Sequence, residues 1–154
     1  MNPSSPTTAL QLRSLVQANG TLQISLELSP VPTPGPDEVL IQVQATPINP
    51  SDIGLLLGPA DLSTVQVTGT AERPVATASI PERAMPGMAA RLGQSMPVGN
   101  EGAGLVVAAG ASPAAQALLG RTVAVIGGAM YSQYRSMPAA QCLPLPPGTT
   151  AAEG

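Results

Sequence analysis

The sequence predicts a mainly β protein with many turns and only short helices. Sixteen glycines and 18 prolines interrupt its 154 residues, and long helices cannot continue across so many of them. Hydrophobic residues make up 44% and charged residues only 10%, the reverse of the composition of disordered chains. Phe and Trp are absent, and Tyr131 and Tyr134 are the only aromatic residues. The core is therefore expected to consist of Val, Ile, Leu, Ala and Met.

The first predicted elements are strands. Residues 10–28 alternate apolar and polar side chains on both sides of Asn19-Gly20, which predicts a β-hairpin, because Asn-Gly tolerates the positive φ angles of a tight turn. The segment 30–36 is too rich in proline to pair with a neighbouring strand, and it is expected to connect the hairpin to the next strand. Residues 38–45 alternate again, with Val and Ile on one face, and predict a third strand.

A short helix is predicted next. Asn49, Ser51 or Asp52 could cap it, Pro50 suits its first turn, and Gly58 could end it. Because Asn, Ser and Asp are the usual capping residues, the local pattern by itself favours a structural role for these side chains over a catalytic one.

Residues 59–96 show no sustained hydrophobic period. We expect one short strand near Val75 and one short helix near Met88, with irregular chain around them. A long segment without clear structure is more often a functional lid or a mobile insertion than a plain connector.

The second half is regular again. Strands are predicted at 102–109, 122–126 and 130–137, and a short helix between Ser112, its cap, and Gly120, its stop. On the last strand, Tyr131 and Tyr134 alternate with polar residues, so that one of them could face a cleft while core packing stays the default.

The last residues contain the pattern of a capping box. Thr150 precedes Glu153 by three positions, and this spacing lets each side chain bond the other's amide at the start of a helix. Since the chain ends at Gly154, we expect it to be the front part of a longer protein. A polar tail that contains the pattern by chance remains an open alternative.

Charge and cysteine usage exclude several classes of function. Six Arg, nine acidic residues and no Lys or His give a net charge of −3, so nucleic-acid binding has little electrostatic support. Serine-histidine and cysteine-histidine catalysis are excluded, as is a zinc site built on His and Cys. The single Cys142 forbids an internal disulfide and fits a cytoplasmic location. No apolar run of 18 residues occurs, so no membrane association is expected.

Four segments follow one another along the chain, and their order is informative: PGPDEVLIQVQATPINPSD, PVGNEGAGLVVAAG, LGRTVAVIGG and YSQYRSMPAAQCLPLPPG. Together they resemble the N-terminal catalytic domain of the medium-chain dehydrogenase/reductase superfamily, and specifically its zinc-independent NADPH:quinone oxidoreductase branch. The resemblance implies a GroES-like, partly open β-barrel with short helices over residues 1–154. It implies an insertion at about 59–96, where relatives have a much shorter link.

The resemblance also implies roles for individual residues. The zinc-dependent alcohol dehydrogenases of the superfamily bind zinc through a cysteine at the position of Asn49 and a histidine at that of Asn100. Neutral amides are poor zinc ligands, so no metal is expected. Asn49 is expected beside the nicotinamide and the substrate carbonyl, with Ser51 as the second catalytic group. Asn100 and Tyr131 are expected to bind substrate.

The implied activity is hydride transfer from NAD(P)H to a small-molecule quinone or another activated carbonyl compound. The family binds NADPH mainly through a Rossmann domain, expected after residue 154, and these residues contain no G-x-G-x-x-G pattern. The chain alone is therefore expected to be inactive, and the full-length protein to be a homodimer. Relatives carry Tyr and Arg where this chain has Gly54 and Leu56, so the typical quinone contacts are not all expected here. The alternative is a GroES-like binding or assembly module without chemistry.

Overall fold

The computed structural model describes residues 6–154, and the prediction of a mainly β chain is confirmed. The strands are β1 (Thr8–Val16), β2 (Thr21–Pro30), β3 (Glu38–Ala45), β4 (Asp61–Gly69), β5 (Pro74–Ser79), β6 (Ser95–Pro97), β7 (Glu101–Ala109), β8 (Thr122–Ile126), β9 (Tyr134–Pro138) and β10 (Cys142–Pro144). The α-helices are α1 (Pro50–Leu56) and α2 (Pro113–Gln116), and 3-10 helices span Glu82–Arg91, Ala139–Gln141 and Ala151–Glu153. The described chain divides into two compact units.

The first unit, here called the α1 unit, comprises Gln11–Glu27 and Ile48–Val98. Its strands form a sheet in the order β4-β5-β2-β1-β6. The predicted hairpin joins β1 to β2, and Gly20 adopts a φ of +79° in its turn, where the amide of Gln17 donates to the carbonyl of Thr21 at 2.8 Å. The prediction that Asn-Gly makes this turn is therefore confirmed.

The segment 59–96 is more regular than expected. The strand near Val75 is β5, and the helix near Met88 is the 3-10 helix Glu82–Arg91, but β4 and β6 were not predicted. All nine residues of β4 are exposed, and β4 pairs with β5 across an irregularity between Asp61 and Gln66. Its residues 64–68 alternate polar and apolar side chains, which is the period of a strand, but the alternation does not extend beyond them. The expectation of irregular chain here was wrong.

The second unit, the β3 unit, comprises residues 6–10, Leu28–Pro47 and Gly99–Gly154. Its sheet has the order β10-β8-β7-β3-β9. Strand β3 has the predicted bounds, and Val39 pairs with Ala109 of β7 and with Met137 of β9. The core beneath the sheet is aliphatic, as predicted; its buried members are Val39, Ile41, Val106, Ala115, Leu118, Val123, Val125, Met130, Met137 and Ala139.

Two predicted elements of this unit differ from the structure, and one strand was not predicted. The α-helix after Ser112 ends at Gln116 and continues only as turns to Gly120, whose φ is +75°. The strand predicted at 130–137 begins at Tyr134, because Gly128 and Ala129 both take positive φ angles and turn the chain there. The three-residue strand β10 was not predicted, since prolines follow it closely.

Candidate functional site

Helix α1 carries the first group of candidate residues. Asn49 is its N-cap with extended backbone, and Pro50 occupies the first helical position, as predicted. The amide of Asn49 donates to Oδ2 of Asp52 at 2.9 Å, and the two residues form a reciprocal capping box. The carboxyl of Asp52 is buried, with only 1% of the residue exposed. Asp52 therefore has the structural role that the capping pattern predicted for it.

Ser51 lies in the first turn of the same helix and is exposed, while Asn49 is half-buried. The cap brings these two side chains to one end of α1. Gly54, on the following turn, is exposed, and an added Cβ there would meet no atom within 4 Å. The structure thus leaves open space at Gly54, one of the two positions where the family resemblance implies larger side chains.

The second group of candidate residues lies in the β3 unit, at the entry to β7. Gly99 has a φ of +93°, and an added Cβ there would run into the amide and ring of Tyr131, so only glycine fits. The carbonyl of Gly99 accepts from the amide of Met130 at 3.1 Å. The carbonyl of Asn100 accepts from Gly127 at 3.0 Å and from Gly128 at 3.2 Å. Asn100 and Tyr131 are therefore held close together by backbone contacts.

Tyr131 is half-buried and lies outside the strand in which it was expected. Its hydroxyl donates to the carbonyl of Pro47 at 2.9 Å, which ties the loop before β9 to the chain that follows β3. Tyr134 begins β9, and its hydroxyl accepts from Nε2 of the Gln42 side chain at 3.5 Å. The expected alternation of the two tyrosines along one strand was wrong.

A cleft of about 640 Å³ opens in the β3 unit. It is lined by Pro47, Glu101, Gly102, Ala124, Val125, Ile126, Gln141, Leu143 and Gly154. Its apolar wall includes Ile126 and Leu143, which are 75% and 68% exposed. The half-buried carboxylate of Glu101 borders the cleft next to Asn100, the position expected to bind substrate.

Sequence reasoning did not single out Ile126 as a residue of this cleft. A signal existed in the strand TVAVI, whose side chains alternate between two faces. Val123 and Val125 fill the core, so Ile126 had to project from the opposite face. Each unit thus brings together one pair of the predicted residues: Asn49 with Ser51 in the α1 unit, and Asn100 with Tyr131 in the β3 unit.

Cys142 is expected to react slowly with thiol reagents. Burial raises the pKa of its thiol, and the Sγ–H donates to the carbonyl of Pro138 at 3.5 Å. Less thiolate then exists at neutral pH than in an unfolded chain, and the thiolate is the reactive species. Alkylation by iodoacetamide at pH 7.5 should be slower in the native protein than in urea. Equal rates in both states would show that Cys142 is accessible and unperturbed.

Neither a metal cluster nor a membrane span appears in the part of the chain that the structure describes. Among residues 6–154, no group of three or more His, Cys, Asp or Glu side chains is placed to hold a metal ion. No helix within the same residues is long and apolar enough to cross a membrane. The expectation that the protein works without zinc remains a prediction.

Comparisons with known proteins agree with this architecture. The fold matches a protein from Mesorhizobium loti provisionally named an NADPH:quinone reductase, with a TM-score of 0.58 and 24% identity over 97% of this chain and 40% of that one. A provisionally named NADPH:quinone reductase from Bacillus thuringiensis matches with a TM-score of 0.58 and 20% identity, over 95% of this chain and 36% of that one.

The human synaptic vesicle membrane protein VAT-1 homolog-like protein matches with a TM-score of 0.56 and 15% identity, over 93% of this chain and 37% of that one. The chain therefore spans about 40% or less of the length of these relatives. No significantly similar sequence is found among curated proteins. In sequence, residues 35–147 match the alcohol dehydrogenase GroES-like domain. Since this match covers well over half of the residues, the chain belongs to the alcohol dehydrogenase GroES-like domain family.

Proposed function

We propose that this chain is the substrate-side domain of a zinc-independent, NAD(P)H-dependent oxidoreductase that reduces quinones or other activated carbonyl compounds. The observation that carries the proposal is the N-terminal end of α1, where the capping box holds Asn49 and where Ser51, two residues further on, is exposed. Membership of the alcohol dehydrogenase GroES-like family and the fold shared with proteins named as quinone reductases support it.

The chemistry requires donors at the substrate oxygen. When bound, the nicotinamide supplies a hydride to the substrate, and negative charge develops on the carbonyl oxygen. The carboxamide N–H groups of Asn49 and the hydroxyl of Ser51 are donors of the kind that stabilise such an oxyanion without a metal. Ser51 can also give its proton to that oxygen and regain one from solvent, since the residue is exposed.

The described residues do not fit the dinucleotide itself. Dinucleotides are bound at the carboxyl edge of parallel strands joined by helices, where a glycine-rich turn meets the pyrophosphate. The strand ladders described within both units are antiparallel, and the chain contains no G-x-G-x-x-G pattern. We therefore expect this chain alone to bind NADPH weakly or not at all, and a separate unit to hold the cofactor.

Asn49→Ala and Ser51→Ala are each expected to lower kcat by about 100- to 1,000-fold, the usual effect of removing one oxyanion donor. The measurement is NADPH oxidation with 1,4-benzoquinone by the protein purified from its native locus, after its intact mass has been compared with the 15.4 kDa of this chain. Asn49→Asp separates catalysis from capping, because Asp caps a helix as well as Asn but lacks the N–H donors. Ser63→Ala, an exposed serine of β4, is the matched control and should leave kcat unchanged.

Two results would contradict the proposal. If the wild-type protein binds no NADPH and reduces no quinone, the chain is a GroES-like binding or assembly module instead. If it turns over but Asn49→Asp keeps the wild-type kcat, the oxyanion is stabilised by other groups. A cytoplasmic location and a homodimer of the full-length protein remain predictions that the native purification also tests.

A further inference from the structure

Helix α1 is too short to hold its own position. A helix of seven residues is not stable in isolation, because its few hydrogen bonds do not offset the cost of nucleation. Its last four carbonyls also lack partners within the helix. Its N-terminal end is fixed by Asn49 and Asp52, so the position of the candidate catalytic end depends on what holds the other end.

Two side chains of the α1 unit bind that other end. The hydroxyl of Ser14, on β1, lies 3.2 Å from the carbonyl oxygen of Leu55 and 3.3 Å from that of Leu56, and donates to them. Ser14 is fully buried, at 0% exposure. A buried hydroxyl that loses its partners costs free energy, so this contact fixes the distance between β1 and the end of α1.

Arg91 completes the arrangement. It is the last residue of the 3-10 helix Glu82–Arg91. Its Nη2 donates to the carbonyl of Leu55 at 2.8 Å and to Oγ of Ser14 at 2.9 Å. A positive charge at the C-terminal end of a helix is favourable, because the carbonyl groups there carry partial negative charge.

The partial burial of the Arg91 side chain costs free energy, because an arginine at the surface would be fully hydrated. Burial lowers the pKa of its guanidinium, and within the described residues its buried Nε has no hydrogen-bond partner. Solvent would satisfy all five N–H groups of a surface arginine. Arg91 gives up part of that hydration to reach the end of α1, and its neighbour Met88 packs against the buried cluster formed by Val16, Leu22 and Ile80.

We propose that Arg91, acting with Ser14, is a positioning residue that fixes α1 and thereby sets the placement of Asn49 and Ser51. The inference rests on the proposed function for the chemistry of those two side chains. It assigns a supporting role to the segment 59–96, which the sequence suggested was a lid or a mobile insertion. Arg91 reaches no substrate in this role and acts only through the helix.

The first test does not require activity. Amide hydrogen exchange of the 154-residue chain should show faster exchange over residues 53–58 in Arg91→Met than in wild type, with β3 unchanged. Arg91→Lys should restore part of the protection, since it keeps a charged donor. Arg83→Met is the matched control, because Arg83 is exposed on the same 3-10 helix. Unchanged exchange over 53–58 in Arg91→Met would overturn the proposal.

The second test uses the full-length enzyme and separates positioning from general destabilisation. Arg91→Met should lower kcat by about 10- to 100-fold with KM for NADPH unchanged, since a displacement of about 1 Å can cost about 100-fold. In an Asn49→Ala/Ser51→Ala background the same change should have little further effect on kcat, because both side chains that it would misplace are already lost. Multiplicative effects in the triple variant would overturn the proposal.

Ser14→Ala serves as the second variant if Arg91→Met does not fold, because it removes one hydroxyl and little volume. It should give the same pattern of exchange and kcat with smaller changes. A wild-type enzyme without turnover would refute the proposed function alone, and the exchange experiment would still decide whether Arg91 holds α1.

Discussion

Gly104→Ala is expected to abolish the native fold or to lower the free energy of unfolding by about 3 kcal/mol or more, the upper end of overpacking costs. Gly104 lies in β7 opposite Val43 of β3. An added Cβ would overlap the carbonyl oxygen of Gln42 and come within 2.9 Å of Cγ2 of Ile41. A backbone carbonyl in a sheet cannot rotate away as a side chain can, so the two central strands would have to separate.

Urea denaturation followed by far-UV circular dichroism measures this effect. Gly87→Ala is the matched control: Gly87 lies in the 3-10 helix Glu82–Arg91, and an added Cβ there meets nothing within 4 Å. The free energy of unfolding of the control should lie within about 0.5 kcal/mol of the wild-type value, as it does for most surface substitutions. If Gly104→Ala unfolded at the wild-type midpoint, the close approach of β7 to β3 would be disproved.

Ile41→Ala is expected to lower the free energy of unfolding by about 2–5 kcal/mol, the range for removing a buried aliphatic side chain. Ile41 is 0% exposed at the centre of β3, and it belongs to the buried cluster of the β3 unit. The loss combines the transfer free energy of the missing methyl groups with the cavity left among rigid neighbours. Domains of ordinary stability have about 5–15 kcal/mol in total, so this single change removes a large share.

Ile126→Ala provides the control for Ile41→Ala, because it makes the same chemical change in the same sheet. Ile126 is 75% exposed, so its replacement should shift the free energy of unfolding by no more than about 0.5 kcal/mol. The quantity to compare is the urea midpoint at constant m-value. Equal losses in the two variants would mean that Ile126 is covered in solution.

The sequence predicted those elements whose local chemistry and packing agree. The turn at Asn19-Gly20 needs a positive φ, which these residues tolerate. In β3, Val39 and Ile41 are both buried, and their spacing of two residues is the period of a strand. The helix α1 was predicted from its cap, and Asn49 and Asp52 form that cap. In each of these cases the signal lies within a few residues of the structure that it specifies.

The elements that sequence analysis missed depend on distant contacts. Strand β4 is exposed along its whole length and exists because it pairs with β5. The start of β9 at Tyr134 depends on positive φ angles at Gly128 and Ala129. Positive φ angles are rare for alanine, so the sequence does not indicate this one. The contact of Arg91 with α1 joins residues 36 positions apart, so no local pattern could indicate it.

The pairing of β3 also governs how fast the β3 unit can assemble. Val39 of β3 lies opposite Ala109 of β7 on one side and opposite Met137 of β9 on the other. Neither β7 nor β9 has been synthesised when β3 leaves the ribosome. Both edges of β3 therefore remain unpaired until most of the chain has been made. Folds dominated by such distant pairings reach the native state in about milliseconds to seconds rather than microseconds. During synthesis, one edge of β3 therefore stays unpaired until the chain has been made as far as β7, and the other until it has been made as far as β9.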